Sequence, residues 1–254
     1  MLEFQNLRAG YEGTERLHGV SARLEPGRFT AISGPNGCGK STLLKCAAGL
    51  LKPLDGNVFL DGQSIQSLSD RQRARQIAYM PQSRIVPDIP VRQLVMHGRY
   101  PHLKWGQNPS SADQDIVDAA IERVKLGKLA MRSVSRLSGG ERQRAYIAMM
   151  LAQQTQVMLL DEPTTHLDLS SQFALMELMR ELCAEGRCIG VVLHDLALAL
   201  EYADTMLLMR DGALAAQGTP EAVYRSGRIQ DVFDVGIRRA GDGKYLFYAD
   251  KPEE

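Results

Sequence analysis

The residues in this 254-residue sequence that most clearly indicate chemistry form the loop pattern GxxxxGK[ST]. Its members are Gly34, Pro35, Asn36, Gly37, Cys38, Gly39, Lys40 and Ser41. An apolar strand candidate precedes the pattern and a helix candidate follows it, which is the context the motif requires. Glycines let backbone N–H groups turn toward phosphate oxygens, and the helix amino terminus adds partial positive charge. We expect Lys40 to contact terminal phosphates and Ser41 to ligate Mg²⁺. A plain glycine-rich turn is the alternative.

Two carboxylates, Asp161 and Glu162, directly follow the apolar run 157–160. In phosphate-loop enzymes a carboxylate at this point holds Mg²⁺ through its water shell, and we assign that role to Asp161. A carboxylate within hydrogen-bond reach of the attacking water is the simplest general base for hydrolysis, so Glu162 is the predicted base. An isolated Asp-Glu pair is more often a solvated helix start. The apolar run favours the end of a buried strand instead.

A histidine, His194, follows the apolar run 188–193 in the same manner. Most histidines are packing or surface residues, and without its context His194 would be interpreted in the same way. If the apolar run is a strand, the His194 ring should lie near the third phosphate.

A second candidate anion-binding surface lies at Leu137-Ser138-Gly139-Gly140-Glu141. These residues precede a helix candidate, and a helix amino terminus with a hydroxyl and small residues favours anions. One phosphate tail cannot fill both this surface and the phosphate loop within a monomer. The two sites are reconciled if a second copy packs head to tail, so that Ser138 to Gly140 of one copy close on the nucleotide held by Lys40 of the other. A flexible Ser-Gly-Gly linker is the alternative.

The elements that must position these residues follow an α/β pattern. Short strands are predicted at 2–7, 20–24, 29–33 and 57–60, and a helix at 40–48. The unbroken apolar runs 157–160 and 189–193 are typical of strands buried on both faces, and a helical stretch at about 171–184 separates them. Ligands bind beyond the carboxyl ends of such parallel strands. The phosphate loop, the carboxylate pair and His194 should therefore converge on one site.

The stretch from about residue 87 to 154 differs in character from its neighbours. Helical patterns occur at 112–124 and 141–153, each with one apolar side. We interpret this stretch as a helical insertion in the α/β frame.

Bulk composition narrows the classes of function. The 30 basic and 30 acidic residues give a formal charge of zero, so nothing favours a binder of nucleic acid or of anionic membranes. No apolar run approaches the roughly 20 residues that span a bilayer. The opening residues lack the regions of a signal peptide, so we expect the chain to stay in the compartment where it is made. The four cysteines form no CxxC pair, which favours free thiols in a reducing cytosol.

Taken together, the motifs resemble the ATP-binding cassette (ABC) ATPase family from Tyr11 to about Phe233. The resemblance implies that Tyr11 stacks on adenine and that Gln82 links Mg²⁺ to a membrane partner. It also implies that 137–141 is the family signature and His194 the switch histidine. The residues implied to contact ATP are Tyr11, Gly34, Pro35, Asn36, Gly37, Cys38, Gly39, Lys40, Ser41, Thr42, Gln82, Ser138, Gly139, Gly140 and Asp168. Those implied to hold Mg²⁺ are Ser41, Gln82 and Asp161, and those implied to act in catalysis are Lys40, Glu162 and His194.

Two positions depart from the common family pattern. Cys38 stands where the family often has Ser or Ala, and His166 where it often has Ala or Ser. His166 belongs to the segment 165–168, which the resemblance implies crosses to the other protomer. Neither substitution changes a ligand, so we expect activity to be retained.

The resemblance implies a phosphate-loop NTPase core with a mostly parallel sheet, an N-terminal antiparallel β subdomain and an inserted helical subdomain. We expect one nucleotide-binding domain over 1–254. Its catalytic core and β subdomain would comprise 1–86 and 155–235, and its helical subdomain, which carries the signature, 87–154. The tail 236–254 receives no role.

Within the family, Val91–His102 and Glu162–Asp168 resemble cassettes of iron-siderophore, haem and cobalamin importers. The implied function is ATP hydrolysis coupled to uptake of a metal chelate, with ferric siderophore ahead of haem, cobalamin or another small solute. The implied partners are a second cassette, as a homodimer or other pair, integral membrane permease subunits and, indirectly, a substrate-binding protein. The location would be peripheral, at the cytoplasmic face of the inner membrane. For Gly98 to His102 the alternative is a turn that closes a helix.

Two other classes share the signature. An ATPase that clamps DNA would need a long coiled-coil insertion or a basic face, and neither is visible in the sequence. A translation-type factor would carry two cassettes, whereas this sequence has one phosphate loop. We therefore expect no nucleic-acid partner.

Overall fold

The computed structural model describes residues 1–104, 106–165, 167–241 and 243–249. The strands of this part are β1 (Leu2–Tyr11), β2 (Thr14–Leu24), β3 (Phe29–Ser33), β4 (Asp55–Leu60), β5 (Gln63–Ser64), β6 (Ile77–Met80), β7 (Val157–Asp161), β8 (Cys188–Val192), β9 (Thr205–Arg210), β10 (Ala213–Gly218), β11 (Val235–Arg239) and β12 (Tyr245–Ala249). The α-helices are α1 (Lys40–Ala47), α2 (Asp70–Ala74), α3 (Val91–Met96), α4 (Ser111–Arg123), α5 (Gly139–Ala152), α6 (Leu169–Ala184), α7 (Leu196–Tyr202), α8 (Pro220–Arg225) and α9 (Arg228–Phe233).

The central sheet has the strand order β10-β9-β3-β8-β7-β6. All neighbours pair in parallel except β9 and β10, which form an antiparallel edge. Every residue of β3, β7 and β8 is buried, as expected for strands covered on both faces. The predicted α/β fold with a mostly parallel sheet is confirmed.

A second sheet, with the order β2-β1-β4-β5, is antiparallel, which confirms the predicted N-terminal β subdomain. Both β1 and β2 are longer than the predicted strands at 2–7 and 20–24. Their pairing shifts register between Phe4 and Leu7, again between Leu7 and Arg8, and between Ala9 and Gly10. Such bulges break the period-two alternation on which the sequence prediction depended.

Helices α3, α4 and α5 form the predicted helical insertion. The pattern at 112–124 corresponds to α4 and that at 141–153 to α5, and each begins slightly earlier than predicted because a serine caps it. Ser110 and Ser138 both form capping boxes with the residue three positions on. Buried residues of α3, α4 and α5, such as Leu94, Ile121 and Ile147, belong to the same apolar cluster as one face of the central sheet.

The carboxyl ends of the central strands lie at one edge of the sheet. Ile32 of β3 pairs with Val192 of β8, and Val192 pairs with Asp161 of β7. Just beyond, Ser33 donates its hydroxyl to the Leu193 carbonyl at 3.1 Å. The segments that follow these three strands therefore emerge side by side, as predicted.

Among the described residues, no helix is both long and apolar enough to cross a membrane.

Candidate functional site

The phosphate-loop pattern folds as a tight turn between β3 and α1. Gly34 leaves β3 where an added Cβ would lie 2.2 Å from the Met209 carbonyl oxygen, so no larger residue fits. Gly39 caps α1 with φ of 102°, a conformation that disfavours a side chain. Lys40 is buried, and its ammonium donates to the carbonyls of Gly34 and Pro35 at 2.8 Å each. The ammonium thus lies across the loop.

Cys38 lies on the inner side of this loop. It is buried, and its Sγ is 4.0 Å from Lys40 Nζ. Burial raises the pKa of the thiol, so Cys38 stays protonated near neutral pH. The side chain does not line the cleft described below, and any contact of this residue with a phosphate would come from its backbone.

Ser41 and Asp161 bring two oxygen ligands together across the sheet edge. Ser41 donates its hydroxyl to Asp161 Oδ1 at 3.0 Å, and the Tyr79 hydroxyl donates to Oδ2 at 3.3 Å. Asp161 is buried, and its pKa is raised, first by burial and also by the neighbouring Glu162. Hydroxyl and carboxylate oxygens are the ligand types that Mg²⁺ prefers. A cation here would relieve the burial of the carboxylate charge.

Glu162 is held at the end of β7 by three donors, of which the Thr165 hydroxyl, 3.5 Å from Oε2, is the most distant. Its Oε2 accepts from Gln82 Nε2 at 2.5 Å, and its Oε1 is 2.5 Å from His194 Nε2. Its backbone has φ of +50°, a left-handed conformation that is uncommon for residues other than glycine. Such strain clusters at functional sites. The Glu162 side chain faces Gln82 and His194.

Part of the phosphate loop, Glu162, Gln82 and His194 line one cleft of about 640 Å³ at the carboxyl edge of the central sheet. Tyr11 stands at its rim with 41% of its surface exposed, and Lys45 Nζ lies 5.5 Å from the centre of its ring. The predicted residues that line the cleft are Tyr11, Asn36, Gly37, Gly39, Lys40, Ser41, Thr42, Gln82, Glu162 and His194. Gly34, Pro35 and Asp161 contact these lining residues without lining the cleft themselves.

Arg16 also lines the cleft and was not predicted. It lies on β2, opposite the hairpin turn from Tyr11, and its carbonyl oxygen would be 2.8 Å from a Cβ at Gly39. An arginine on a half-exposed strand carries no distinguishing pattern in the sequence. Only the packing of the β1–β2 hairpin on the loop places its charge at the site.

The signature residues do not line this cleft. Ser138 and Gly139 are exposed, and Ser138 caps α5: its Oγ accepts from the Glu141 N–H, and its own N–H donates to Glu141 Oε2. A Cβ on Gly140 would lie 2.9 Å from Ser171 Oγ on α6. The amino terminus of α5 therefore faces outward, as it must if it is to meet a ligand held by another copy.

Asp168 also lies apart from the cleft, at the start of α6. Its Oδ1 accepts from the Ser170 hydroxyl at 2.7 Å and from the Ser171 N–H at 2.8 Å. These hydrogen bonds lower the pKa of Asp168 to about 2. Its position is thus explained by helix capping within its own chain. His166 lies outside the described residues.

The Gly98 to His102 stretch, part of the importer resemblance, is fixed mainly by internal contacts. Arg99 is buried, and its Nη1 donates to the Ala152 carbonyl at 2.7 Å. His102 Nε2 lies 2.9 Å from the Gln153 carbonyl, and a Cβ on Gly98 would meet the Met149 carbonyl oxygen at 2.2 Å. These three residues therefore contact the end of α5, while Tyr100 of the same stretch is exposed.

The fold and the cleft define the class of the protein as a phosphate-loop NTPase. The family described as ABC transporter matches residues 17–165, more than half of the chain. The chain therefore belongs to the ABC transporter family.

Similar proteins agree with this assignment. The petrobactin import ATP-binding protein FpuD of Bacillus anthracis is 44% identical over 91% of this chain and 86% of its own length. The ferric enterobactin transport ATP-binding protein FepC of Escherichia coli K12 is 43% identical over 93% of this chain and 88% of its own. A solved dimeric ATP-binding cassette in a post-hydrolysis state, bound to ADP and Pi, is 25% identical with a TM-score of 0.76, over 87% of this chain and 99% of that one.

These relationships establish the activity. The chain is an ATPase whose hydrolysis is coupled to transport, and it is the ATP-binding component of a membrane transporter. Cassettes of this family bind ATP or ADP, and dimeric forms of them are known.

Proposed function

We propose that the chain pairs with a second cassette to enclose two ATP·Mg²⁺ and thereby drives uptake of a metal chelate, with a ferric siderophore as the first candidate. The observation that carries the proposal is the position of Glu162, held between Gln82 and His194 at the phosphate-loop cleft. A carboxylate so held beside a phosphate-binding loop suits hydrolysis of a terminal phosphate.

The nucleotide would lie along the cleft from Tyr11 to Glu162. Tyr11 offers an exposed ring for adenine, and the loop 34–39 offers backbone N–H groups to the phosphates. Lys40 would exchange its two carbonyl acceptors for phosphate oxygens. Arg16 adds a second positive charge in the same cleft, so the triphosphate would meet complementary charge along its length.

Ser41 and Asp161 fit Mg²⁺ by the chemistry of their oxygens and by their 3.0 Å separation. When bound, the ion would neutralise charge on the phosphates. Gln82 would contribute a side-chain oxygen on the opposite side of the cleft. Its amide donates to Glu162 in this structure, so binding of ATP·Mg²⁺ in the cleft would change the hydrogen bonds of Gln82.

Glu162 would accept a proton from the attacking water. A carboxylate has about four acceptor positions, and Gln82, His194 and Thr165 occupy three of them. A water molecule can therefore bind to the Glu162 carboxylate while these donors hold the side chain in its orientation. His194 would orient Glu162 and contact the third phosphate.

The second copy would complete each site. Ser138 and Gly139 are exposed at the amino terminus of α5 and lie outside the cleft of their own chain. A head-to-tail pair would place them on the nucleotide of the partner. We further propose that 1–86 and 155–235 act as the catalytic core, that 87–154 moves with the signature, and that Asp168 lies near the pair axis.

The cargo and partners are inferred from the relatives. Proteins 43–44% identical to this chain are named for petrobactin import and for ferric enterobactin transport. We infer a permease of the same class, docked from the cytoplasmic face of the membrane, and a substrate-binding protein that delivers the chelate. Haem and cobalamin importers are the alternative.

The ATPase assignment is tested with Glu162→Gln. We expect kcat to fall by about 10²- to 10⁴-fold, the usual contribution of a general base. ATP should still bind and should hold the variant as a dimer in size-exclusion chromatography. Glu181→Gln, on the exposed face of α6, is the matched control and should behave like the unmodified chain. Normal turnover by Glu162→Gln would contradict the assignment.

The cargo is tested in the host by deleting the gene and measuring uptake of labelled ferric siderophore, haem and cobalamin. Loss of siderophore uptake alone is expected, and the intact gene should restore it while Glu162→Gln should not. Unchanged uptake of all three, together with a defect in amino-acid, sugar or phosphate import, would overturn the cargo proposal.

A further inference from the structure

The loop after β6 passes from the nucleotide cleft to α5 within a few residues. Arg84, two positions after Gln82, donates from Nη2 to Gln143 Oε1 at 2.6 Å. Its guanidinium carbon lies 4.7 Å from the centre of the Tyr146 ring. Tyr146 in turn donates its hydroxyl to the Ile85 carbonyl at 2.5 Å. Two consecutive loop residues are thus attached to two positions on the same face of α5.

Among the residues that the structure describes, no carboxylate balances the charge of Arg84. Over the described ranges, no Asp or Glu oxygen pairs with its guanidinium, which contacts the Gln143 amide, the Tyr146 ring and Met80 Sδ. The Arg84 side chain is half-buried. A partly desolvated charge without a counter-ion is unfavourable for folding. Stability alone therefore does not explain why an arginine stands here.

The contacts require a planar fork rather than a positive charge alone. The Arg84 guanidinium carbon lies over the Tyr146 ring, 4.7 Å from its centre, while Nη2 donates to Gln143 Oε1. A lysine ammonium could make one of these contacts but has no plane with which to make both. Methionine would keep the length of the side chain and lose both contacts.

The attachment lies close to the signature residues. Gln143 is buried in the second turn of α5, five positions after Ser138. At 1.5 Å per residue this is roughly 7 Å along a rigid helix. Fixing Gln143 and Tyr146 to the loop therefore fixes Ser138 relative to Arg84. Through the two intervening peptide units it also couples Ser138 to Gln82, which donates to Glu162.

We infer that Arg84 is a positioning residue, which sets the place of Ser138, Gly139 and Gly140 relative to Gln82 and so makes closure of the paired cassettes depend on the contents of the cleft. The inference rests on the proposed function, because it assumes that Ser138 acts on the nucleotide of a partner. Arg84 itself does not line the nucleotide cleft.

The test compares Arg84→Met and Arg84→Lys with Arg92→Met. Arg92 is the matched control, since it belongs to α3 of the same helical insertion and pairs with Asp118 at the surface. For each purified chain, kcat and KM for ATP, ATP affinity and the midpoint of thermal unfolding are measured. ATP-driven dimer formation is measured for each substitution combined with Glu162→Gln.

We expect Arg84→Met to lower kcat by about tenfold to a hundredfold, as small misplacements of reacting groups do. ATP affinity should change by less than about twofold, because Arg84 lies outside the nucleotide cleft. The unfolding midpoint should fall by no more than about 6 °C, the cost of the hydrogen bond lost to Gln143. Dimer formation should weaken in parallel with kcat. Arg84→Lys should not restore turnover, and Arg92→Met should match the unmodified chain.

Three results would overturn the inference: an unchanged kcat for Arg84→Met, full rescue by Arg84→Lys, or a loss of kcat that is explained by partial unfolding of Arg84→Met at the assay temperature. A failure of the proposed function looks different. In that case Ser138→Arg would leave turnover intact. Reduced turnover in Ser138→Arg with normal turnover in Arg84→Met would refute the positioning role alone.

Discussion

Replacing Arg99 by methionine should strongly destabilise the protein, because it leaves a buried carboxylate without its cation. Arg99 Nε donates to Asp113 Oδ1 at 2.9 Å, and the exposed side-chain fractions of the pair are 6% and 12%. Arg99 Nη1 also donates to the Ala152 carbonyl at 2.7 Å and to Gln154 Oε1 at 2.9 Å. Methionine fills much of the same space and makes none of these hydrogen bonds.

The expected cost follows from the burial of the pair. Removing one partner of a buried ion pair destabilises a protein by about 3–5 kcal/mol. For a chain of this size each kcal/mol shifts the unfolding midpoint by about 2–4 °C, so a decrease of roughly 6–20 °C is expected. Differential scanning calorimetry and urea unfolding measure these quantities.

A second pair in the same region serves as the control. Arg92 Nε and Asp118 Oδ1 are 2.8 Å apart, nearly the separation of Arg99 and Asp113, but their side chains are 33% and 56% exposed. Exposed pairs contribute about 0.2–1 kcal/mol, so Arg92→Met should cost far less than Arg99→Met. Both substitutions remove an Arg–Asp pair, but the Arg99 pair is the more buried, and Arg99→Met also removes the hydrogen bonds to Ala152 and Gln154.

The destabilisation should depend on pH. Hydrogen bonds from the Ser110 hydroxyl and N–H, and then from Arg99, lower the pKa of Asp113 from 3.8 to about 2. A lowered folded-state pKa gives stability that is present above the unfolded pKa and is lost as pH falls through the folded one. Arg99→Met should therefore have a lower free energy of unfolding than the unmodified chain, and this difference should be largest above about pH 5 and become smaller toward pH 2.

A double-mutant cycle decides whether the pair is the cause. Adding Asp113→Asn to Arg99→Met removes the unpaired charge, so the double variant should be less destabilised than the sum of the two single variants. A cost below about 1 kcal/mol for Arg99→Met, or strict additivity in the cycle, would refute the reasoning.

Three further predictions concern the site. Lys40→Ala and Ser138→Arg copies, inactive alone, should regain turnover when mixed under subunit exchange, because each mixed dimer has one intact composite site; mixtures no faster than the separate variants would count against a head-to-tail pair. Gln82→Ala should lower transport more than ATP binding, as compared by uptake assays and calorimetry, and a transport defect explained by weaker binding would exclude a coupling role. Tyr11→Ala should weaken ATP binding by roughly 1–3 kcal/mol, the usual worth of stacking on a base, while Tyr11→Phe should bind normally; equal losses would point away from stacking.

The local patterns of the sequence predicted the centre of the site. The phosphate loop combines glycines, a lysine and a hydroxyl within eight residues, and its chemistry depends on neighbours in the chain. Asp161 and His194 were placed by the apolar runs before them, because strands buried on both faces must end at the sheet edge. Both predicted helices of the insertion carried a serine cap and an apolar side, which are signals within one element.

Contacts between distant segments were decided by the tertiary structure. Arg16 reaches the cleft only because the β1–β2 hairpin packs on the phosphate loop. The bulges in β1 interrupt the alternation of apolar and polar residues, so the sequence predicted only part of each strand of that hairpin. In the sequence, the stretch that contains Arg99 indicated only a resemblance to one class of importer cassettes. The structure shows that Arg99 binds Asp113 and the end of α5.

The division has a physical reason. A motif whose members are adjacent in the chain fixes its own geometry through backbone conformation, as the loop 34–41 does. Arg84 and Gln143 are 59 positions apart and meet only when β6 and α5 pack. Their hydrogen bond depends on the relative position of two elements, which is set by the burial of the whole core and not by any periodicity within either segment. The sequence alone therefore determined which residues could bind phosphate and activate water, and the tertiary structure decided which residues hold them in place.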